Sequence, residues 1–192
     1  MISPLEDELS NIQREFYLSQ PKKMFLTKTQ KTECAEYLVQ KLSLEQLMRH
    51  TVYVIENTNI VFIDYPLFKQ YMTSIHYDKF IQYVLQIISN VITIHGTYEM
   101  HINLLSFSVS AVEKYYVIIH TFYDICCQPE NAMVVMRLSG IHIYYTPIMI
   151  HVIKTMLSKM NVESIRGKTL FYTKEESPGL LTKLIGKREF RT

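Results

Sequence analysis

The sequence predicts an α/β fold: a mostly parallel sheet with one antiparallel hairpin, flanked by helices. Three observations lead there. Residues 1–50 carry only helical patterns. Thr51–Asp64, TVYVIENTNIVFID, reads as a hairpin. Residues 140–172 read as strand, abrupt helix start, amphipathic helix, turn and strand, and a crossover of that length joins parallel strands.

The N-terminal helices are short. Ser3-Pro4-Leu5-Glu6 suits a cap and first turn, and Leu5, Leu9, Ile12 and Phe16 recur at three- and four-residue steps up to about Leu18. Gln20-Pro21-Lys22-Lys23 breaks that run. A second helix is expected over Thr29–Leu42, with Cys34, Tyr37, Leu38 and Leu42 together, and a third over Leu44–Met48, begun at Ser43. In the hairpin, β-branched and aromatic runs flank Glu56-Asn57-Thr58-Asn59, whose asparagines tolerate a left-handed turn. Asp64–Lys69 turns the chain into a short helix.

Tyr77–Val91 reads as a long helix with Phe80, Ile81, Val84, Leu85 and Ile88 on one side. It has few polar residues, so burial on more than one face is expected. HINLLSF from His101 gives a strand over His101–Leu105. Ser108 or Ser110 then caps a helix over Val112–Cys126, striped by Ala111, Tyr115, Ile118, Ile119, Phe122 and Ile125. Gln128–Met136 is an apolar connector. Ile141, Ile143 and Tyr145 alternate with His142 and Tyr144 in the next strand. Thr146 suits an N-cap and Pro147 the first helical position. Met149, Val152, Ile153, Met156, Leu157 and Met160 form the inner stripe of a helix over Ile148–Met160. Thr169–Tyr172 returns to β-type residues, and a last helix follows near Gly179–Ile185.

Composition narrows the function. The 192 residues suffice for a large buried core, and 48% hydrophobic with 20% charged content marks a globular chain. A net charge of +2, with scattered basic residues, gives no reason to expect nucleic acid as a partner. The basic tail Lys183, Lys187, Arg188 and Arg191 offers a weak pull toward an anionic membrane surface. Three cysteines, with Cys126 and Cys127 adjacent, give no disulfide framework. With no signal peptide and no run of eighteen apolar residues, a cytoplasmic location is the expectation. There are 14 tyrosines and no tryptophan; because a buried hydroxyl needs a partner, many of these rings should sit half-buried.

Catalytic signatures are missing. Arg166-Gly167-Lys168-Thr169 looks like the end of a phosphate-binding loop, but Val162 stands where that motif needs glycine, and β-type residues follow the lysine. There is no G-x-G-x-x-G, G-x-S-x-G or H-E-x-x-H, and the seven histidines show no metal-binding spacing. His101 and His142 fall in predicted strands and could face one another; a hydrogen-bonded interior or rim histidine is the plainer reading. No enzyme, metal or cofactor is therefore expected.

Several features resemble the Sec14-like (CRAL-TRIO) lipid-binding domains: helices ahead of the sheet, a hairpin before the first long helix, and the strand HINLLSF. The resemblance is carried mostly by a strand ending in the aromatic pair Tyr144–Tyr145, Pro147 opening an apolar helix, and GKTLFY after it. Asn103 and Ser106 stand where the family pattern has an aspartate. The resemblance implies a short helical N-terminal extension over 1–50 and a lipid-binding domain over 51–192. It also implies a non-enzymatic protein that binds, and can transfer between membranes, a phospholipid or other hydrophobic ligand. Helix Ile148–Met160 would be the gate, with Met149, Val152, Ile153, Met156, Leu157, Tyr145 and His142 at the ligand. Lys168 matches the lysine that meets the inositol phosphate in phosphoinositide-binding members; Glu130 is offset from that lysine's acidic companion. A peripheral membrane surface is then a transient partner. The alternative is a protein-interaction module with the same fold, a filled core and a tyrosine-rich surface.

Overall fold

A computed structural model of the chain describes residues 4–20, 26–146 and 167–186. Within them a five-stranded sheet runs in sequence order, β1 (Val52–Val54), β2 (Ile60–Asp64), β3 (Tyr98–Asn103), β4 (Leu138–Tyr144) and β5 (Thr169–Phe171). β1 and β2 pair antiparallel; every later pair is parallel. This is a mixed α/β architecture. The predicted helix Ile148–Met160, and with it Met149, Val152, Ile153, Met156 and Leu157, lies outside the described residues.

Helices α1 (Pro4–Leu18), α2 (Lys28–Leu42) and α3 (Leu44–Thr51) precede the sheet. α2 begins at a capping box: Thr27 accepts from the Gln30 backbone N–H, and the Gln30 side chain reaches back to the Thr27 N–H. Ser43 both ends α2 and caps α3, with its φ of 62° marking the sharp turn between them. Leu5, Leu9, Leu38 and Leu47 share one hydrophobic cluster with Val52 and Val61 of the hairpin. Asn57 takes the left-handed conformation (φ 57°) that the hairpin turn requires.

α4 (Tyr65–Tyr71) and α5 (Tyr77–His95) follow β2. α5 runs past Val91 to Gly96, whose φ of 78° suits glycine and ends the helix. Ile81, Val84 and Ile88 are buried beneath it, each contributing about 1.5–3 kcal/mol relative to exposure. β3 starts at Tyr98 rather than His101 and stops at Asn103 because the Asn103 side chain accepts from the Leu105 N–H, making a local turn. α6 (Val109–Cys126) leads to a connector that is itself helical, a 3₁₀ turn at Pro129–Asn131 and then α7 (Ala132–Met136). β4 begins at Leu138 and ends before Tyr145, whose φ of 52° bends the chain off the sheet. α8 (Ser177–Ile185) closes the described chain.

Strand alternation divides the sheet into two faces. Val61, Met100, Ile141 and Ile143 enter the main core with α1–α7. Phe62 and Tyr144 point the other way and meet Ile55 and Leu181 in a smaller cluster beneath α8. Among the described helices, none is long and apolar enough to cross a membrane.

Candidate functional site: a cavity on one face, a histidine cluster on the other

α5 lies in close backbone contact with β1, β2 and β3, and α6 packs against α5 and α7. Between the sheet and α5–α6 is a cavity of about 310 Å³. Its floor is Met100, Ile102, Ile141 and Ile143; Phe80 and Val84 of α5 and Ile118, Ile119 and Phe122 of α6 form walls. The lining is apolar almost throughout.

Four tyrosines, Tyr65, Tyr98, Tyr115 and Tyr123, also line it, and Tyr115 differs from Tyr98 in its hydroxyl. The Tyr115 ring lines the cavity, the residue is 3% exposed, and its hydroxyl has no hydrogen-bond partner. Burial raises its phenol well above the ordinary value, so the group stays a neutral O–H. Other buried tyrosines are satisfied: Tyr71 donates to the Thr51 hydroxyl at 2.9 Å, Tyr98 to the Val134 carbonyl at 2.9 Å, and Tyr144 meets His101 Nδ1 at 2.8 Å. An orphaned buried hydroxyl costs about 1–3 kcal/mol.

The opposite face gathers polar groups from the same strands. The β3–β4 register sets His101 beside His142 and Glu99 beside Gly140. The two imidazoles stack at 4.2 Å between centroids, with planes 13° apart. Both direct Nε2 to the same Glu99 oxygen, His101 at 3.3 Å and His142 at 3.7 Å. Each Nδ1 is held by a phenol: His101 by Tyr144, His142 by Tyr172 at 2.7 Å. Tyr144 and Tyr172 stack in turn at 5.0 Å. Burial, above all, holds the His101 imidazole below its ordinary value; the His142 ring adds to the effect and the Glu99 carboxylate opposes it. Burial pushes the Tyr144 phenol up to about 12. The His101 ring is therefore favoured in its neutral form, with Nε2 within hydrogen-bond distance of Glu99. Among the described residues, Glu99, His101 and His142 are the one group of three side chains able to share a metal ion.

The sequence-predicted site residues are thus separated. His142 sits on the face opposite the cavity, whose floor takes its neighbours Ile141 and Ile143. Tyr145 packs with the small cluster under α8, and its backbone N–H donates to the Ser177 hydroxyl at 2.7 Å. Lys168 donates from Nζ to the Leu138 carbonyl at 2.5 Å, tying the start of β4 to the turn before β5. The Thr146 hydroxyl, the expected cap, donates back to the Ile143 carbonyl at 3.2 Å. Sequence reading missed Glu99, Tyr115 as a polar group, and Tyr172 as a partner. The signal for Glu99 was present: after Gly96, YEMHIN alternates apolar 98, 100 and 102 with polar 99, 101 and 103. No protein-family model matches the chain, and no curated protein shows significant sequence similarity to it.

Proposed function

We propose that the protein binds a small hydrophobic ligand, non-enzymatically, in the cavity between the sheet and α5–α6, within a fold of the Sec14-like kind. The observation that carries the reading is the apolar cavity itself. Protein interiors are packed to crystal density, with few voids larger than a water molecule. The cavity is partly open, so its apolar wall stays against water unless an apolar molecule covers it. Water gains little there, since the wall offers it almost no polar partner. An apolar molecule fills the volume at a gain.

The volume lies near the lower end of ligand pockets, which span about 300–1,000 Å³. It favours one apolar chain or a compact ligand, such as part of a phospholipid, over a bulky one. Transfer between membranes and the gate implied for Ile148–Met160 belong to the same proposal. Lys168 is already bonded to backbone, which weighs against an inositol-phosphate contact there.

Native mass spectrometry of the chain purified from cells tests the reading. The expected result is a bound apolar molecule released by organic solvent, and uptake of a fluorescent long-chain fatty acid by the stripped protein. A ligand-free protein that takes up no apolar probe would overturn the proposal.

A further inference from the structure

We propose that Glu99, His101 and His142 form a binding site for a single divalent transition-metal ion of the zinc class, with three protein ligands and one open position. The inference concerns the face away from the cavity and does not depend on what the cavity holds.

The donor set comes from the sheet itself. Residues 99 and 101 lie on one face of β3 because side chains repeat every second residue, and the parallel register brings His142 alongside His101. Two ligands at about 2.0–2.1 Å from a tetrahedral ion lie about 3.3–3.5 Å apart. The Glu99 oxygen is 3.3 Å from one Nε2 and 3.7 Å from the other, and all three donor atoms lie within 4.8 Å of one another. Coordination would require the near-parallel rings to tilt so that their in-plane lone pairs converge on the ion.

Two further features point to an ion rather than to a packed hydrogen-bond cluster alone. First, both rings are aimed from behind: Tyr144 and Tyr172 hold the Nδ1 atoms, the arrangement by which metal-ligating histidines are oriented. Second, Gly140 keeps space clear. A Cβ there would lie 3.3 Å from His142 Nε2 and 3.8 Å from Glu99 Cγ, crowding the room that an ion needs beside its donors. Access is sufficient, since the Glu99 side chain is 35% exposed and that of His142 19%. Two imidazoles and one carboxylate suit zinc, cobalt or ferrous iron, whereas magnesium and calcium take oxygen ligands.

Without an ion, His101 Nε2 lies 3.3 Å from the Glu99 carboxylate, His142 Nε2 stands 3.7 Å from it, and each Nδ1 is paired with a phenol. With the ion, both Nε2 atoms give lone pairs to it, both rings carry the proton on Nδ1, and Nδ1–H donates to a phenol oxygen. Ring nitrogen chemical shifts report that tautomer directly.

The test is calorimetric titration of the chelator-stripped full chain with Zn²⁺, with Mg²⁺ as control. One Zn²⁺ per chain and no response to Mg²⁺ are expected. Glu99→Gln should weaken binding about 100-fold or more, and Tyr172→Phe, which leaves all three ligands in place, about 10–100-fold. Should the variants fold poorly, nitrogen-15 spectra of the unaltered protein decide: under saturating Zn²⁺ two histidines should carry their proton on Nδ1, with Nε2 on the ion. No stoichiometric Zn²⁺ binding, binding undiminished in Glu99→Gln, or fewer than two such histidines under saturating Zn²⁺ would each overturn the proposal.

Discussion

On the face of the sheet toward α5 and α6, Met100, Ile102, Ile141 and Ile143 line a cavity whose wall is mostly apolar. On the other face Glu99, His101, His142 and Tyr144, one residue along in the same strands, meet one another. The difference lies in how each face satisfies its groups. The cavity face is held by exclusion of water, which is non-directional and tolerates a change of shape. The histidine face is held by directed pairs, in which removing one partner leaves another without one. Consequences of a substitution should therefore follow the face rather than the strand.

Neighbouring residues of β4 give the sharpest contrast. Ile141→Asp places a carboxylate against the apolar lining with no partner, and should cost more than about 4 kcal/mol or abolish folding. His142→Asn, on the half-open face, should cost only about 1–2 kcal/mol through its lost hydrogen bonds. Urea denaturation of both variants measures the gap; similar losses would break the comparison. A smaller effect is expected within the histidine face. Tyr144→Phe strips His101 Nδ1 of its partner in a buried setting and should cost about 1–3 kcal/mol, read as a lower urea midpoint at constant slope.

The two-faced sheet was partly legible in the sequence. Ile141 and Ile143 alternating with His142 and Tyr144 gave the faces of β4, and the ENTN turn gave the hairpin. Helix starts were legible where a capping residue stands, as at Ser43, and less so at α6, where Ser108 makes no side-chain cap bond. Register was not legible. That Glu99 and His101 stand beside His142 depends on how β3 slides against β4, and residues so far apart in the chain carry no local sign of it. The cavity was not legible in place either: the stripe on α6 reads the same whether the space behind it is filled or open. Tyr145 was read as strand, since nothing in its type announces a positive φ.

Adjacent cysteines sharpen the comparison without a stability effect. Cys126 lines the cavity, and burial pushes its thiol up to about 12, whereas Cys127 is exposed. A thiol reagent at pH 7.5 should label Cys127 rapidly and Cys126 only on unfolding, as peptide mass mapping would show. Equal labelling of both in the folded chain would mean that the end of α6 is not packed as described.

The most direct measurement of the central claim, that the sheet floors an unfilled apolar volume able to take a ligand, is the thermal stability and fatty-acid uptake of Ile118→Phe. Ile118 lines the cavity from α6, so the added bulk has space to enter. The expected result is a melting temperature unchanged or raised, together with loss of probe uptake. A loss of about 1–3 kcal/mol, the usual cost of overpacking a close-packed core, with probe uptake as in the unaltered protein, would contradict it.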